Sequence, residues 1–237
     1  MVLTVHHLCV SQSERIVFLC EELGIPYELK TYQRSPLLSP PAYLALHPLG
    51  AAPVIQDDNS SGGEPLTLAE SAACVDYIIH VHGSGRLAIP PGHRNYADYL
   101  YWYHFTQGSL QPAIGRAMAL RFAGVAEDSN WRVRFEAKIA QDLQFLDQRL
   151  GVTGKWLVGE EFTAADVMVM FTLTTMRKFY PMELGAYGNV VAYVGRVAGR
   201  EGYRRAMARG DPELDVESLV QGASPPLFGA LLPKAES

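Results

Sequence analysis

Within the first 32 residues the hydrophobic period changes twice, and that alternation confines the chain to a small set of folds. "VLTVHHL" is short and β-rich, "SERIVFLCEELG" carries Ile16, Leu19, Cys20 and Leu23 at helical spacing, and "PYELKTYQ" alternates again. Gly24 stands where a helix C-cap belongs. "PPAYLALHP" reads as a short helix started by proline and ended before Pro48. "APVIQDD" and "EPLTLA" read as a hairpin across the turn-rich "DDNSSGG". "ESAACVDYIIHVHG" then predicts a helix with Ala72, Val75, Ile78, Ile79 and Val81 on one face. The order βαβ-α-ββα implies a small mixed sheet with helices and excludes a long doubly wound one.

The pattern breaks at "GSGRLAIPPGHRN", where glycine and proline punctuate a linker. The expected division is a first domain over 1–83, a linker over 84–95 and an all-helical domain over 96–237. The long aromatic run after Asn95 should bend near Pro112. Phe135, Ile139, Leu143, Leu146 and Leu150 trace one helical face. "FTAADV" predicts a helix capped by Thr163 with Asp166 closing the capping box and Phe162 and Val167 as a hydrophobic staple, a structural role for the aspartate. "GASPPLFGALLPKAES" has no period and is expected to pack as an arm or fray.

Composition narrows the functional classes. A formal charge of -5 argues against a nucleic-acid partner, and no apolar run reaches the length needed to span a bilayer. "MVLTVHHLCV" lacks the basic flank and long apolar stretch of a secretory leader. Three cysteines without CxxC spacing fit reduced thiols, so the expected location is the cytoplasm. Adjacent His6 and His7 point to opposite faces of a strand and cannot converge on one metal ion, so no metal site is expected.

Four segments taken in order, "SERIVFLCEELGIPYEL", "HPLGAAPVI", "LAESAACVDYI" and "FTAADVMV", resemble the glutathione transferase superfamily. The resemblance covers all but about the last 20 residues, and the opening "HHL..S.S.RI..L.EELG" is similar to a microbial branch with serine in the first loop. It implies a thioredoxin-like α/β N-terminal domain, an all-α C-terminal domain, glutathione as cofactor and a homodimer.

A glutathione thiol with a pKa of about 8.5 is only a few per cent ionised at pH 7. A hydroxyl donor and a helix N-terminus each stabilise the thiolate by on the order of a kcal/mol. Ser11 and Ser13 precede the first helix, where both effects act. Ser11 aligns with the family's loop serine, whereas Ser13 suits an N-cap. Cys9 lacks the following proline of thiol-exchange relatives and reads as a small buried hydrophobe.

The resemblance further assigns Pro53 as a cis-proline. Ala52 and Val54 flank it, with Val54 pairing its backbone to the cysteinyl part of glutathione, and Glu70 and Ser71 hold the γ-glutamyl end. Ala51 replaces a loop lysine common in the family, leaving His47, Lys30 or Arg15 to meet the glycine carboxylate. Tyr99, Tyr103, Gln107 and Leu110 share one helix face that could be core or the wall of a pocket for a bulky electrophile. Two reactions fit equally: conjugation to a small-molecule electrophile, or isomerisation of a conjugated alkene by reversible thiolate addition. A non-catalytic binding protein on the same scaffold is the alternative that the missing lysine keeps open.

Overall fold

A computed structural model describes residues 3–58 and 64–231. They divide into two compact units: the described parts of Met1–Ala88, Val197–Val216 and Phe228–Ser237 form one, and Ile89–Arg196 with Glu217–Leu227 form the other.

The first unit begins β1 (Leu3–Leu8), α1 (Glu14–Leu23), β2 (Glu28–Tyr32), α2 (Pro41–Leu44), β3 (Val54–Asp57), β4 (Leu66–Ala69) and α3 (Ser71–Tyr77). The sheet order is β2-β1-β3-β4. β1 runs parallel to β2 across α1, as a βαβ crossover demands, with Thr4 opposite Glu28. β3 is antiparallel to β1, with His6 opposite Val54, and to β4, with Val54 opposite Ala69. This register brings the end of β1, the start of β3 and the end of β4 to one end of the sheet. β1 is buried at every position, and successive side chains serve opposite layers. On the Leu8 side, Tyr43 of α2 packs with Leu8, Val54 and Ala69. The turn joining β3 and β4 lies largely outside the described residues.

The helix expected through His82 changes pitch. After Tyr77 it widens into a π turn, Ile78–His82, in which the Gly83 N–H reaches back five residues to the Ile78 carbonyl. The extra residue in the turn rotates the later positions about the axis, so Val81 is 42% exposed and not on the buried face that a uniform 3.6 period gives it.

The second unit holds α4 (Tyr96–Phe105), α5 (Gln111–Phe122), α6 (Asn130–Thr153), α7 (Ala164–Leu173) and α8 (Gly188–Ala198), whose last residues pass into the first unit. Near Pro112, where a bend is expected, the helix passes through a π turn at Thr106–Leu110, which ends two residues before the proline that lacks an N–H for the helical ladder. On α6, Ile139, Leu143, Leu146 and Leu150 are buried, while Phe135 is half-buried. α7 is buried throughout and opens with a complete capping box between Thr163 and Asp166. The C-terminal arm packs as far as it is described: the buried Arg177 donates to the carbonyls of Leu219, Gln221, Gly222 and Ala223. Residues 232–237 lie outside the described residues. No helix among the described residues is long and apolar enough to cross a membrane.

Two further α-helices follow, α9 (Glu201–Gly210) and α10 (Val216–Leu219). α9 belongs to the first unit and lies along α1. A Cβ at Gly202 would stand 2.8 Å from Glu22 Cα, so only glycine permits this approach. Charge fastens the same seam. Glu21 accepts from Tyr27, Arg205 and Arg209, and Glu22 accepts from Arg200. Burial disfavours the Glu21 carboxylate, yet these donors outweigh it and hold its pKa below the ordinary value.

Asp166 yields a pH prediction. Its Oδ1 accepts from Leu157 N–H and the Tyr193 hydroxyl, and its Oδ2 from Thr163 N–H. Complete burial nonetheless lifts its pKa to about 6, against hydrogen bonds that pull it down. Between about pH 4 and 6 the folded protein therefore keeps a proton that the unfolded chain has lost, and this group's contribution to stability falls as pH rises. Denaturant titrations should show the stability difference between wild type and Asp166→Asn shrinking across that window. Asp166→Ala, which strands buried donors, should cost about 3 kcal/mol.

Candidate active site

The loop from β1 to α1 is held in an unusual shape. Val10 lies at φ 55, a region that β-branched residues rarely adopt. Its N–H donates to Asp211 Oδ1 at 2.8 Å, and its carbonyl accepts from Arg34 Nη2 at 2.9 Å. Arg34 Nε also donates to the Cys9 carbonyl. Asp211 follows α9 and belongs to the same unit, so two groups distant in sequence clamp one strained residue.

Ser11 comes next and is 3% exposed, beside the half-buried Gln12. Its hydroxyl lies 2.8 Å from that of Ser13 and accepts from the Ser13 N–H. Ser13 does not cap α1 as its residue type predicts. Its backbone is already helical and its hydroxyl makes no capping bond. The Glu14 and Arg15 N–H groups instead find the Ser11 and Gln12 carbonyls. The spare hydroxyl lies 2.9 Å from His7 Nδ1, and His7 Nε2 lies 3.0 Å from Asp211 Oδ2. His6 faces the other layer, between the Tyr32 hydroxyl and Gln56, so the two histidines do diverge. The ligand-type atoms of His7, Cys9 and Asp211 cluster within 4.8 Å, but each is engaged in hydrogen bonding: His7 with Asp211, and the Cys9 thiol with the Gly210 carbonyl.

The remaining candidates of this unit gather at the same end of the sheet. The Ala52–Pro53 peptide is cis. Val54 is wholly buried and has ladder partners on both sides, whereas Ala52 is half-buried and outside the ladder. Glu70 is exposed at φ 75, a second non-glycine residue in a sparsely populated region, and Ser71 after it is buried. The buried Arg15 guanidinium donates to Ser71 Oγ at 3.2 Å and to Gln12 Oε1 at 2.8 Å. Of the groups considered for the position vacated at Ala51, Arg15 is thus engaged at Ser71 and Lys30 lies 3.7 Å from Glu28. Half-buried His47 sits on the same loop as Ala51, its Nδ1 accepting from the Leu49 N–H.

In the helical unit Tyr99, Tyr103 and Leu110 are buried and Gln107 is half-buried, with the two tyrosine rings stacked 5.5 Å apart. None of the four lines either of two clefts in that unit, one of about 360 Å³ beside Trp102 and Phe145 and one of about 340 Å³ whose wall includes Arg121, Arg132, Glu136, Tyr180 and Tyr187. The sequence offers no signal for the second cleft, because its residues come from three separate segments.

Set beside known proteins, residues 11–81 match the glutathione S-transferase N-terminal domain and residues 132–201 the corresponding C-terminal domain. A glutathione S-transferase-like protein of Beauveria bassiana is 30% identical over 65% of this chain and 69% of its own. Glutathione S-transferase 3 of Schizosaccharomyces pombe is 29% identical over 94% and 96%. A glutathione S-transferase structure from Actinobacillus pleuropneumoniae superposes with a TM-score of 0.79 at 28% identity, over 91% of this chain and 96% of that one. A Burkholderia graminis glutathione transferase, crystallised with two glutathione molecules per subunit, gives 0.71 at 25% identity over 89% of each. The chain belongs to the glutathione S-transferase family.

The cysteines behave as packing residues. All three are buried, and burial pushes the Cys9 thiol up to about 11 and Cys74 to about 12. At pH 7 a chromogenic disulfide reagent should therefore find no fast-reacting thiol in the native protein and three after unfolding in guanidinium. A native thiol reacting at the rate of a free cysteine would contradict this and revive a disulfide-exchange role for Cys9.

Proposed function

We propose that this protein binds glutathione at the sheet end formed by Ser11, the Pro53 loop and Ser71, and activates its thiol for addition to an electrophilic carbon. The observation that carries the reading is the convergence of these three loops on one end of the sheet, joined by Arg15 between Gln12 and Ser71. Glutathione bound to the Burkholderia relative supports the choice of thiol. In this reading Ser11 donates to the thiolate near the start of α1, where the helix terminus adds positive potential. Ala52 offers its main chain to the cysteinyl part, as an added strand does, in place of Val54, whose ladder partners on both sides leave it no room for that pairing. Glu70, Ser71 and Arg15 hold the γ-glutamyl end, and His47 faces the glycine carboxylate in place of the missing lysine. The second substrate is an electrophilic, conjugated organic molecule, and the working form is a homodimer.

With glutathione and a chlorodinitrobenzene as probe, Ser11→Ala is expected to lower kcat/KM about tenfold or more, the equivalent of one pKa unit of thiolate stabilisation. The ultraviolet absorbance of bound thiolate should titrate at correspondingly higher pH. Unaltered turnover and titration in this variant would remove Ser11 from the mechanism, and failure of the wild type to bind glutathione would reject the reading. Following glutathione during turnover of an enone separates the two chemistries, because conjugation consumes it and isomerisation does not.

A further inference from the structure

Behind Ser11 runs an unbroken line of hydrogen-bonded side chains that ends on a carboxylate. Ser11 Oγ to Ser13 Oγ is 2.8 Å, Ser13 Oγ to His7 Nδ1 is 2.9 Å, and His7 Nε2 to Asp211 Oδ2 is 3.0 Å, all of it buried. We propose that Ser13, His7 and Asp211 form a proton relay, in which the proton leaving the glutathione thiol at Ser11 is delivered to the His7 imidazole and kept there. The proposal rests on the reading that Ser11 meets the thiol.

An inventory of donors and acceptors shows why the line can carry a proton in that direction. A serine hydroxyl has one hydrogen and two acceptor sites, and neutral histidine has one donor and one acceptor nitrogen. Asp211 also receives the Val10 N–H, so it acts as the acceptor for His7 Nε2–H, leaving Nδ1 bare. Ser13 has two acceptors beside it, His7 Nδ1 at 2.9 Å and the Leu8 carbonyl at 3.2 Å; it donates to the nearer Nδ1 and fills both acceptor sites with the Leu8 N–H and the Ser11 hydroxyl. Ser11, donating inward and accepting from the Ser13 N–H, retains one acceptor site for an S–H. When the thiol proton moves to Ser11 Oγ, the Ser11 proton moves to Ser13 Oγ and the Ser13 proton to His7 Nδ1. Every hydroxyl now points outward: His7 donates to Ser13, Ser13 to Ser11, and Ser11 to the thiolate. One S–H bond has broken, one N–H bond has formed, and no hydrogen-bonding site is left empty in either state.

The proton arrives among groups of matching charge. On His7 it would face the Asp211 carboxylate at 3.0 Å and the C-terminal end of α9, where a Cβ on Gly210 would lie 3.1 Å from His7 Nε2. The other ionisable groups nearby do not compete. The buried Cys9 thiol stays protonated, and Arg34 is turned to the Cys9 and Val10 carbonyls. On α1, Arg15 is turned to Gln12 and Ser71 and Glu14 is buried; on α9, Arg209 is paired with Glu21. His7 never touches substrate; it stores the proton, while Ser13 and Asp211 are positioning residues.

The test is a proton count. Wild-type protein is titrated with glutathione at pH 7 by calorimetry in buffers of differing ionisation enthalpy, while thiolate is followed by its ultraviolet absorbance. The relay predicts thiolate formation with close to no proton released to buffer. Release of one proton per thiolate overturns it. In Asp211→Asn the amide presents a donor toward His7 Nε2 and moves the imidazole hydrogen to Nδ1, so the relay is blocked while the Val10 contact can persist. Ser13→Ala removes a single hydroxyl and serves if Asp211→Asn does not fold. Either variant should raise the pH at which bound thiol titrates by about one unit, a tenfold loss of thiolate at lower pH, with proton release restored. Wild-type titration in both variants, with Ser11→Ala still shifted, rejects the relay and leaves the proposed function standing. Absence of thiolate in the wild type rejects both.

Discussion

The Asp211 carboxylate is the contact on which the geometry of the first loop depends. One oxygen orients His7 and the other holds the N–H of Val10 in a backbone conformation that valine does not choose. Without that anchor the loop would relax toward an ordinary φ and carry Ser11 with it. A buried carboxylate is costly unless its oxygens are occupied, so the two contacts sustain each other: the loop satisfies the acid, and the acid shapes the loop. Arg34, two residues past the end of β2, completes the arrangement by taking the carbonyls of Cys9 and Val10.

That anchor is in place because α9 lies close along α1. Gly202 permits the close approach, and the Glu21 and Glu22 carboxylates meet Arg200, Arg205 and Arg209 along the seam. Phe18 and Tyr203 meet edge to face with centroids 5.1 Å apart in the same interface. Charge and apolar packing fix the register of α9, and the register sets where its last residue ends, beside His7.

Local physics made much of this legible in advance. The strands, α1 with its Gly24 cap, the loop before β3 and the Thr163–Asp166 capping box all arise from short-range patterns, which a sequence displays directly. Val81 escaped because the π turn breaks the period that assigned it a face. Ser13 looked like a cap because serine usually is one; what diverted its hydroxyl was His7, and neither residue's neighbours in sequence reveal that pairing. Asp211 was invisible for a simpler reason. It stands 204 positions from His7, and a lone aspartate after a basic helix carries no local signature. The cleft beside Arg121 and Tyr180 was hidden likewise, since separate segments contribute its wall.

The placement of α9 also orders events in time. The chain leaves its first unit after Ala88, builds a second, and comes back at Val197 to finish what it began. On the ribosome, the sheet and α1 emerge long before the helix that covers them. Until residue 211 has left the exit tunnel, the acids of α1 lack their arginines and the strained turn lacks its anchor. A chain cut in the glycine- and proline-rich stretch after Ala88 would carry every loop at that end of the sheet yet miss the piece that shapes the first of them. The linker separates the sequence more cleanly than it separates the folding units.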